Sequence, residues 1–156
     1  MTNPERFMLV AFTQNWAKRE QFNEWPQHMT VMPWLSADIG STMSMLTEIA
    51  NDYEPLITVV AERGMYGANN DVPVYKLGPV EVFKGLHQVI LSGLRDINAT
   101  LEDETYVDDK YSPHMAIKAG QPDHYIGDEI VFSSISLISK IAEQKTILHN
   151  VNFKDL

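Results

Sequence analysis

The chain has 156 residues, 44% of them hydrophobic, and 21 acidic against 12 basic residues give it a formal net charge of −9 at pH 7. This composition argues against disorder, and it lacks the basic stripe with which a long nucleic-acid footprint neutralises several phosphates. The chain contains no cysteine, which excludes disulfides, thiolate metal sites and cysteine nucleophiles.

The length and the apolar content predict one domain with a buried core, covering residues 1–156. No apolar run approaches the roughly 20 residues that span a bilayer. The segment MTNPERFMLV lacks the basic and apolar regions of a signal peptide. We therefore expect a cytoplasmic protein with no membrane partner.

The first half of the chain alternates between strand and helix patterns. Residues 6–13 form a short apolar run that is typical of a buried strand. Residues 28–35 (HMTVMPWL) predict a second strand, in which Pro33 indicates an edge position or the strand's end. Apolar residues at helical spacing predict a helix over 38–53, and a β-branched strand follows over 55–67.

The second half repeats this alternation. A strand over 72–82, interrupted at Gly78 and Pro79, precedes a helix over 82–98 with a regular apolar stripe. After an acidic loop, three further segments favour strands: 111–120, 128–141 and 146–153. Two helices among seven or eight strands predict an α+β fold with helices packed on antiparallel sheet.

Two histidines stand in similar strand contexts, more than half the chain length apart. In PQHMTVMPWL, His28 and Thr30 are two positions apart and so point to the same face of a strand. In SPHMAIKAG, His114 is likewise followed by methionine, a small residue and a β-branched residue. Each histidine also has a proline shortly before it. We interpret the chain as two similar halves.

This arrangement resembles the 2H phosphoesterase superfamily, which includes LigT-like 2′-5′ RNA ligases and cyclic nucleotide phosphodiesterases and is marked by two His-x-Thr/Ser motifs in apolar strands. The first motif is intact at His28-Met29-Thr30, and the second, His114-Met115-Ala116, has an alanine where a hydroxyl is expected. The resemblance implies a bilobed fold of two pseudo-repeated halves, with antiparallel sheets around a central cleft and helices outside. It places His28 and His114 at the floor of that cleft.

The resemblance also implies a metal-independent phosphodiesterase without a cofactor. Its substrate would be a 2′,3′-cyclic phosphate or a 2′-5′ linked nucleotide or RNA terminus, and hydrolysis is favoured over ligation. One proton must leave the attacking oxygen and another must reach the leaving oxygen, and two imidazoles, each with an ordinary pKa of about 6.5, can divide these tasks. Which of His28 and His114 is the base stays open. Thr30 would donate a hydrogen bond to a phosphate oxygen.

Ala116 removes one phosphate donor, which by analogy with a lost oxyanion donor costs about 10²- to 10³-fold in rate. In a regular strand, Lys118 would share the face of His114 and Ala116. One hypothesis is that the Lys118 ammonium replaces the missing hydroxyl as a substrate contact. A lysine solvated at the strand's end is an equal alternative.

Two aromatic residues are candidates for stacking on a nucleobase. Trp34 continues the face of His28 and Thr30, and Tyr111 precedes the second motif. For both residues, packing in the core is the commoner role.

Two other interpretations remain open. The chain could be a binding protein for a nucleotide or RNA end that kept the cleft but lost efficient catalysis, as Ala116 would permit. It could also be an unrelated α+β domain in which both histidines are incidental. A metal site made by His28, His114, Asp123 and His124 is less favoured, because nothing in the sequence fixes their spacing.

Overall fold

The computed structural model describes residues 5–154. In this part of the chain, ten β-strands and two α-helices form an α+β fold, as predicted. The helices are α1 (Ile39–Ala50) and α2 (Val80–Asp96). The strands are β1 (Glu5–Phe12), β2 (Gln21–Phe22), β3 (His28–Ala37), β4 (Leu56–Tyr66), β5 (Val72–Gly78), β6 (Thr100–Leu101), β7 (His114–Ala116), β8 (Glu129–Phe132), β9 (Ser134–Ile141) and β10 (Gln144–Asn152).

The strands form two antiparallel sheets. The large sheet has the order β2-β10-β9-β1-β3-β6, and the small sheet has the order β7-β5-β4-β8. The first histidine motif opens β3 in the large sheet, and the second opens β7 in the small sheet. The two motifs therefore enter the fold from different sheets, as the bilobed layout implies.

One hydrophobic cluster joins both sheets to both helices. The α2 helix contributes most of its predicted stripe, since Phe83, Leu86, Ile90 and Leu94 are buried. The α1 helix begins after Asp38, whose side chain accepts a hydrogen bond from the backbone N–H of Ser41. Neither helix of residues 5–154 has the length and apolar character that crossing a membrane requires.

The middle residue of each motif anchors it to this core. Met29 and Met115 are both fully buried. Because strand side chains alternate between faces, the residues on either side of each methionine point away from the core cluster. The sequence alternation thus turns His28 and Thr30 on β3, and His114 and Ala116 on β7, away from the core cluster.

Pro33 lies at a β-bulge. The pairing of β3 with β1 shifts register between Met32 and Leu35, so that Pro33 and Trp34 together face Met8. On the other side of β3, no strand of residues 5–154 pairs with it before Leu35. The expected edge position is confirmed, and a proline is tolerated there because its missing N–H costs no ladder hydrogen bond.

Three strand predictions differ clearly from the structure in their bounds. The strand predicted over 72–82 ends at Gly78 as β5, and α2 already begins at Val80. The segment 111–120 contributes only the three residues of β7, because a turn with a positive φ at Gly120 follows it. The segment 128–141 contains two strands, β8 in the small sheet and β9 in the large one, separated at Ser133. Alternation alone cannot reveal that a continuous apolar segment changes sheets.

Candidate active site

The two motif histidines lie close together where the large and small sheets meet. Strand β3 lies against β7. A cavity of about 610 Å³, which we call the Thr30 cavity, is lined by residues of both motifs, including Thr30, His114 and Ala116. Burial is the main cause that lowers the pKa of His28, and a smaller electrostatic contribution from His114 places the two rings within electrostatic reach of each other.

Both histidines have the same hydrogen-bond geometry. His28 Nδ1 lies 2.8 Å from the carbonyl oxygen of Pro26, and His114 Nδ1 lies 2.8 Å from the carbonyl oxygen of Ser112. A carbonyl oxygen can only accept, so Nδ1 carries the proton and donates in each ring. Nε2 has no hydrogen-bond partner among residues 5–154 in either ring. It is therefore the atom that can take up or release a proton.

Aromatic side chains enclose both rings. The centroid of His28 lies 4.4 Å from the Trp25 ring and 6.2 Å from the Phe12 ring. His114 lies 4.5 Å from the Tyr66 ring in an edge-on arrangement. These contacts limit rotation of the imidazoles and contribute to their burial.

Burial shifts the pKa values of both histidines in the same direction. Burial lowers the pKa of His28 to about 4, with smaller contributions from the charges of Lys118 and His114. Burial also lowers the pKa of His114 from its ordinary value of 6.5. In the ligand-free protein, both imidazoles are therefore neutral at pH 7.

Tyr111 and His87 support the first motif from beneath. The hydroxyl of Tyr111 donates to the carbonyl oxygen of Thr30 at 2.9 Å, and burial raises the pKa of Tyr111. Its ring stacks on His87, with 4.1 Å between centroids. His87 Nδ1 donates to the carbonyl oxygen of Val31, and Nε2 accepts the N–H of Asp108, each at 2.9 Å. The stacked pair therefore fixes two successive carbonyls of β3.

Lys118 lies beside the first motif rather than on the strand of the second. Because β7 ends at Ala116, the face shared by His114 and Ala116 does not extend to Lys118. The exposed Lys118 lines a second cavity, of about 590 Å³, which also contains Trp25 and which we call the Lys118 cavity. Burial is the main cause of the low pKa of His28, and a smaller contribution from the charge of Lys118 places the ammonium within electrostatic reach of that ring.

Trp34 is not among the lining residues of either cavity. Its ring packs against the guanidinium of Arg6 at 4.3 Å from the centroid, and Arg6 is paired with Glu102. The bulge at Pro33 explains this placement, since an inserted residue breaks the strict alternation that would have put Trp34 on the face of His28.

A group of polar side chains beside His28 was not predicted from the sequence. His124 Nε2 donates to the Gln27 side-chain oxygen at 2.9 Å, and the Gln27 side-chain nitrogen donates to the carbonyl of Pro122 at 3.0 Å. Gln121 donates to the carbonyl of Trp25 at 2.7 Å. These bonds tie the loop after β7 to the segment before β3. The only indication of this polar group in the sequence is that Trp25 and Gln27 stand close to the first motif.

Within residues 5–154, no three His, Cys, Asp or Glu side chains are grouped so that they could hold a metal ion. His124, one of the residues considered for a metal site, is hydrogen-bonded to Gln27 and half-buried.

Comparison with known proteins first defines the class. The sequence matches no protein-family model, and no curated protein matches it. Solved structures do match over nearly the whole chain, and they show that this chain has the fold of LigT and related phosphoesterases. The predicted resemblance to the 2H phosphoesterase superfamily is thus confirmed at the level of the fold.

Three of these structures illustrate the similarity. TT0787 of Thermus thermophilus has a TM-score of 0.64 and 15% identity, with 97% of this chain and 99% of that chain covered. A phosphoesterase has a TM-score of 0.61 and 11% identity over 97% and 99%. E. coli LigT complexed with NADP⁺ has a TM-score of 0.58 and 10% identity over 98% and 99%. E. coli LigT has also been solved with 3′-AMP and with phosphate.

The lowered pKa of His28 predicts a loss of stability in acid. The unfolded chain, with a histidine pKa of about 6.5, binds the proton more tightly than the folded state does. The contribution of His28 is therefore complete above about pH 6.5 and is lost as the pH falls toward 4. Between pH 7 and pH 4, the free energy of unfolding should fall by about 3 kcal/mol more in the wild type than in His28→Gln. Parallel urea titrations measure this difference, and equal falls in the two proteins would contradict it.

The Tyr111 hydroxyl is predicted to stabilise β3. Tyr111→Phe keeps the ring that stacks on His87 but leaves the carbonyl of Thr30 without its donor. The free energy of unfolding should fall by about 1–3 kcal/mol. Tyr106→Phe is the matched control, because Tyr106 lines the same cavity but is 68% exposed, and its change should stay within about 0.5 kcal/mol. Denaturant titration of both variants tests this, and equal effects would argue against the bond.

Proposed function

We propose that residues 1–156 form a single 2H phosphoesterase-type domain, a metal-independent phosphodiesterase for a 2′,3′-cyclic phosphate or a 2′-5′ linked nucleotide or RNA terminus. The observation that carries this proposal is the matched pair of histidines. His28 and His114 each donate from Nδ1 to the carbonyl two residues earlier, which leaves both Nε2 atoms without a partner among residues 5–154. His114 and Thr30, from the two motifs, line one cavity. Two imidazoles at one phosphorus centre suit transfer of two protons.

The structural comparisons support a small nucleotide ligand. E. coli LigT, which shares this fold, has been crystallised with NADP⁺, with 3′-AMP and with phosphate. The net charge of −9 favours a short ligand or a chain end over a long nucleic acid, since few cations are available to neutralise a series of phosphates. A cytoplasmic location remains a prediction from the sequence.

In hydrolysis, one histidine acts as the base and the other as the acid. The neutral base takes a proton from water at Nε2 while the water oxygen forms a bond to phosphorus. The protonated acid gives its Nε2 proton to the ester oxygen whose bond to phosphorus breaks. Bound phosphate anion favours protonation of a nearby imidazole, which offsets the desolvation that keeps both rings neutral in the free protein.

The position of Lys118 favours one assignment of these roles. Its positive charge disfavours protonation of His28 and is not among the causes that shift the pKa of His114. His28 is then the base in hydrolysis and His114 the acid. Thr30 donates from its hydroxyl to a non-bridging phosphate oxygen, and Lys118 supplies positive charge from the side of the Lys118 cavity.

Ala116 favours a second candidate function. With a methyl group where a second hydroxyl donor is expected, the cleft could bind a nucleotide or RNA end without turning it over efficiently. This binding protein would have the same fold and the same ligand class, and it differs from the enzyme only in rate.

Turnover by the histidine pair is tested with 2′,3′-cyclic nucleotides in the presence of EDTA. The wild type should open the cyclic phosphate, and His28→Ala and His114→Ala should each lose at least about 10²-fold in kcat/KM, since general acid–base catalysis contributes 10²- to 10⁴-fold. His149→Ala, in β10, is the control that keeps activity. Binding without turnover in the wild type would support the binding protein. If the wild type shows neither binding nor turnover, the two histidines are incidental.

The pH dependence tests the assignment of roles. The optimum of an acid–base pair lies between its two pKa values, and both are lowered here, so kcat/KM should be maximal below pH 6.5. Lys118→Met removes a cation near His28, which raises the pKa of His28 and moves the acidic limb of the profile to higher pH. It should also raise KM by weakening the phosphate contact.

Lys118→Arg is the matched control for this experiment, because it keeps the charge and should keep the acidic limb in place. An optimum above pH 7 in the wild type would contradict the proposed titrations. An unchanged limb, KM and kcat in Lys118→Met would remove Lys118 from the site.

A further inference from the structure

The Thr30 cavity has a largely apolar wall beside the reacting histidine. It lies between the large sheet and the tip of the β4–β5 hairpin. Its apolar lining residues are Met8, Pro33, Met65, Val72, Val74 and Ala116. Val74 is fully buried at its base, whereas Met65 and Val72 are 50% and 41% exposed at its mouth.

The polar groups in the inner part of this wall are bonded within the protein. The hydroxyl of Tyr66 is 2.8 Å from the hydroxyl of Ser112, and the hydroxyl of Tyr111 donates to the Thr30 carbonyl. The other polar lining residues besides the two motifs are exposed at the mouth: Asn70, Tyr106 and Lys110. A sugar placed in the inner part would lose water without regaining equivalent hydrogen bonds, at a cost of about 1–3 kcal/mol for each unsatisfied group. The inner wall therefore favours an occupant made of carbon.

The Lys118 cavity is more polar. Its lining combines aromatic residues with polar and charged residues: Trp16, Phe22 and Trp25 with Gln14, Glu24, Gln27, Gln121 and Lys118. Each cavity takes a lining residue from near His28, since Gln27 lines the Lys118 cavity and Thr30 lines the Thr30 cavity. In the proposed function, a phosphodiester held by the histidines thus has a more polar cavity for one substituent and a more apolar cavity for the other.

We propose that the Thr30 cavity binds a hydrophobic ester substituent, so that the substrate is a phosphodiester with one apolar and one polar group. This inference rests on the proposed function and extends its substrates from nucleotides in general to diesters that carry an apolar group. In the reaction, water adds to phosphorus and one ester bond to phosphorus breaks. The substituent on the broken bond leaves as an alcohol, which carries the proton from the acid. Ala116 continues the apolar wall up to His114, where a hydroxyl would interrupt it.

Direct binding of n-alkyl phosphates, from methyl to hexyl, tests this inference by isothermal titration calorimetry. Each methylene buried in the Thr30 cavity should lower Kd by about two- to fourfold. n-Propyl phosphate should bind more tightly than glycerol 3-phosphate, and n-pentyl phosphate more tightly than ribose 5-phosphate, although each pair has the same number of carbons. These ligands remain unchanged during the titration, so the measurement does not depend on turnover.

Two substitutions at the mouth of the cavity locate the effect. Val72→Thr and Met65→Gln change polarity with little change in shape, and they should reduce the dependence of Kd on chain length by at least half. Val59→Thr is the matched control, because Val59 is 39% exposed on β4 and lines neither cavity, and it should keep the wild-type dependence.

Three results would overturn the inference: a Kd that does not depend on chain length, tighter binding of the sugar phosphates, or a dependence that Val72→Thr and Met65→Gln leave intact. Absence of binding by every phosphate would overturn it as well. Failure of the proposed function gives a different result. In that case the protein binds alkyl phosphates as expected but does not turn over cyclic nucleotides.

Discussion

The hydrogen bond from Nδ1 of each histidine to the carbonyl two residues before it determines what the candidate site can do. It fixes the tautomer, so that Nε2 is the reactive atom in His28 and in His114. It also fixes the ring against the strand entry, because donor and acceptor belong to the same short segment. The geometry is local in each half, and the fold needs only to bring two such segments together.

The surroundings of the two imidazole rings disfavour their protonation, and a bound anion can offset this effect. Aromatic contacts from Trp25 and Tyr66 stabilise the ring positions but disfavour the charged imidazolium, so both pKa values fall. In the proposed function, a phosphate bound at the two rings restores a favourable environment for one proton, so protonation is coupled to occupancy. Lys118, whose charge contributes to the low pKa of His28 only, makes the two histidines unequal although their backbone geometry is the same.

The sequence predicted the features that depend on local periodicity. Alternation around Met29 and Met115 identified both motifs, and helical spacing identified α1 and α2. It could not predict features that depend on a change of register or on distant elements. The bulge at Pro33 turns Trp34 away from the expected face, and the early end of β7 removes Lys118 from the face of His114. The support of Thr30 by Tyr111 and His87 joins three separate segments, which no periodicity encodes.

The two motif segments are alike in their backbone hydrogen bonds and different in side chains, and in the proposed function this difference determines selectivity. Thr30 adds a hydroxyl to its half of the cleft, whereas Ala116 adds a methyl group to the other. Next to Thr30, the segment before β3 carries Gln27 and contacts a polar loop, while Ala116 continues into the apolar wall of the hairpin. In the proposed function, a similar pair of proton-transfer groups thus acts between unlike walls. We propose that this chemistry can be shared by many phosphodiesters, whereas the orientation in which one binds is set by the polarity of its two substituents.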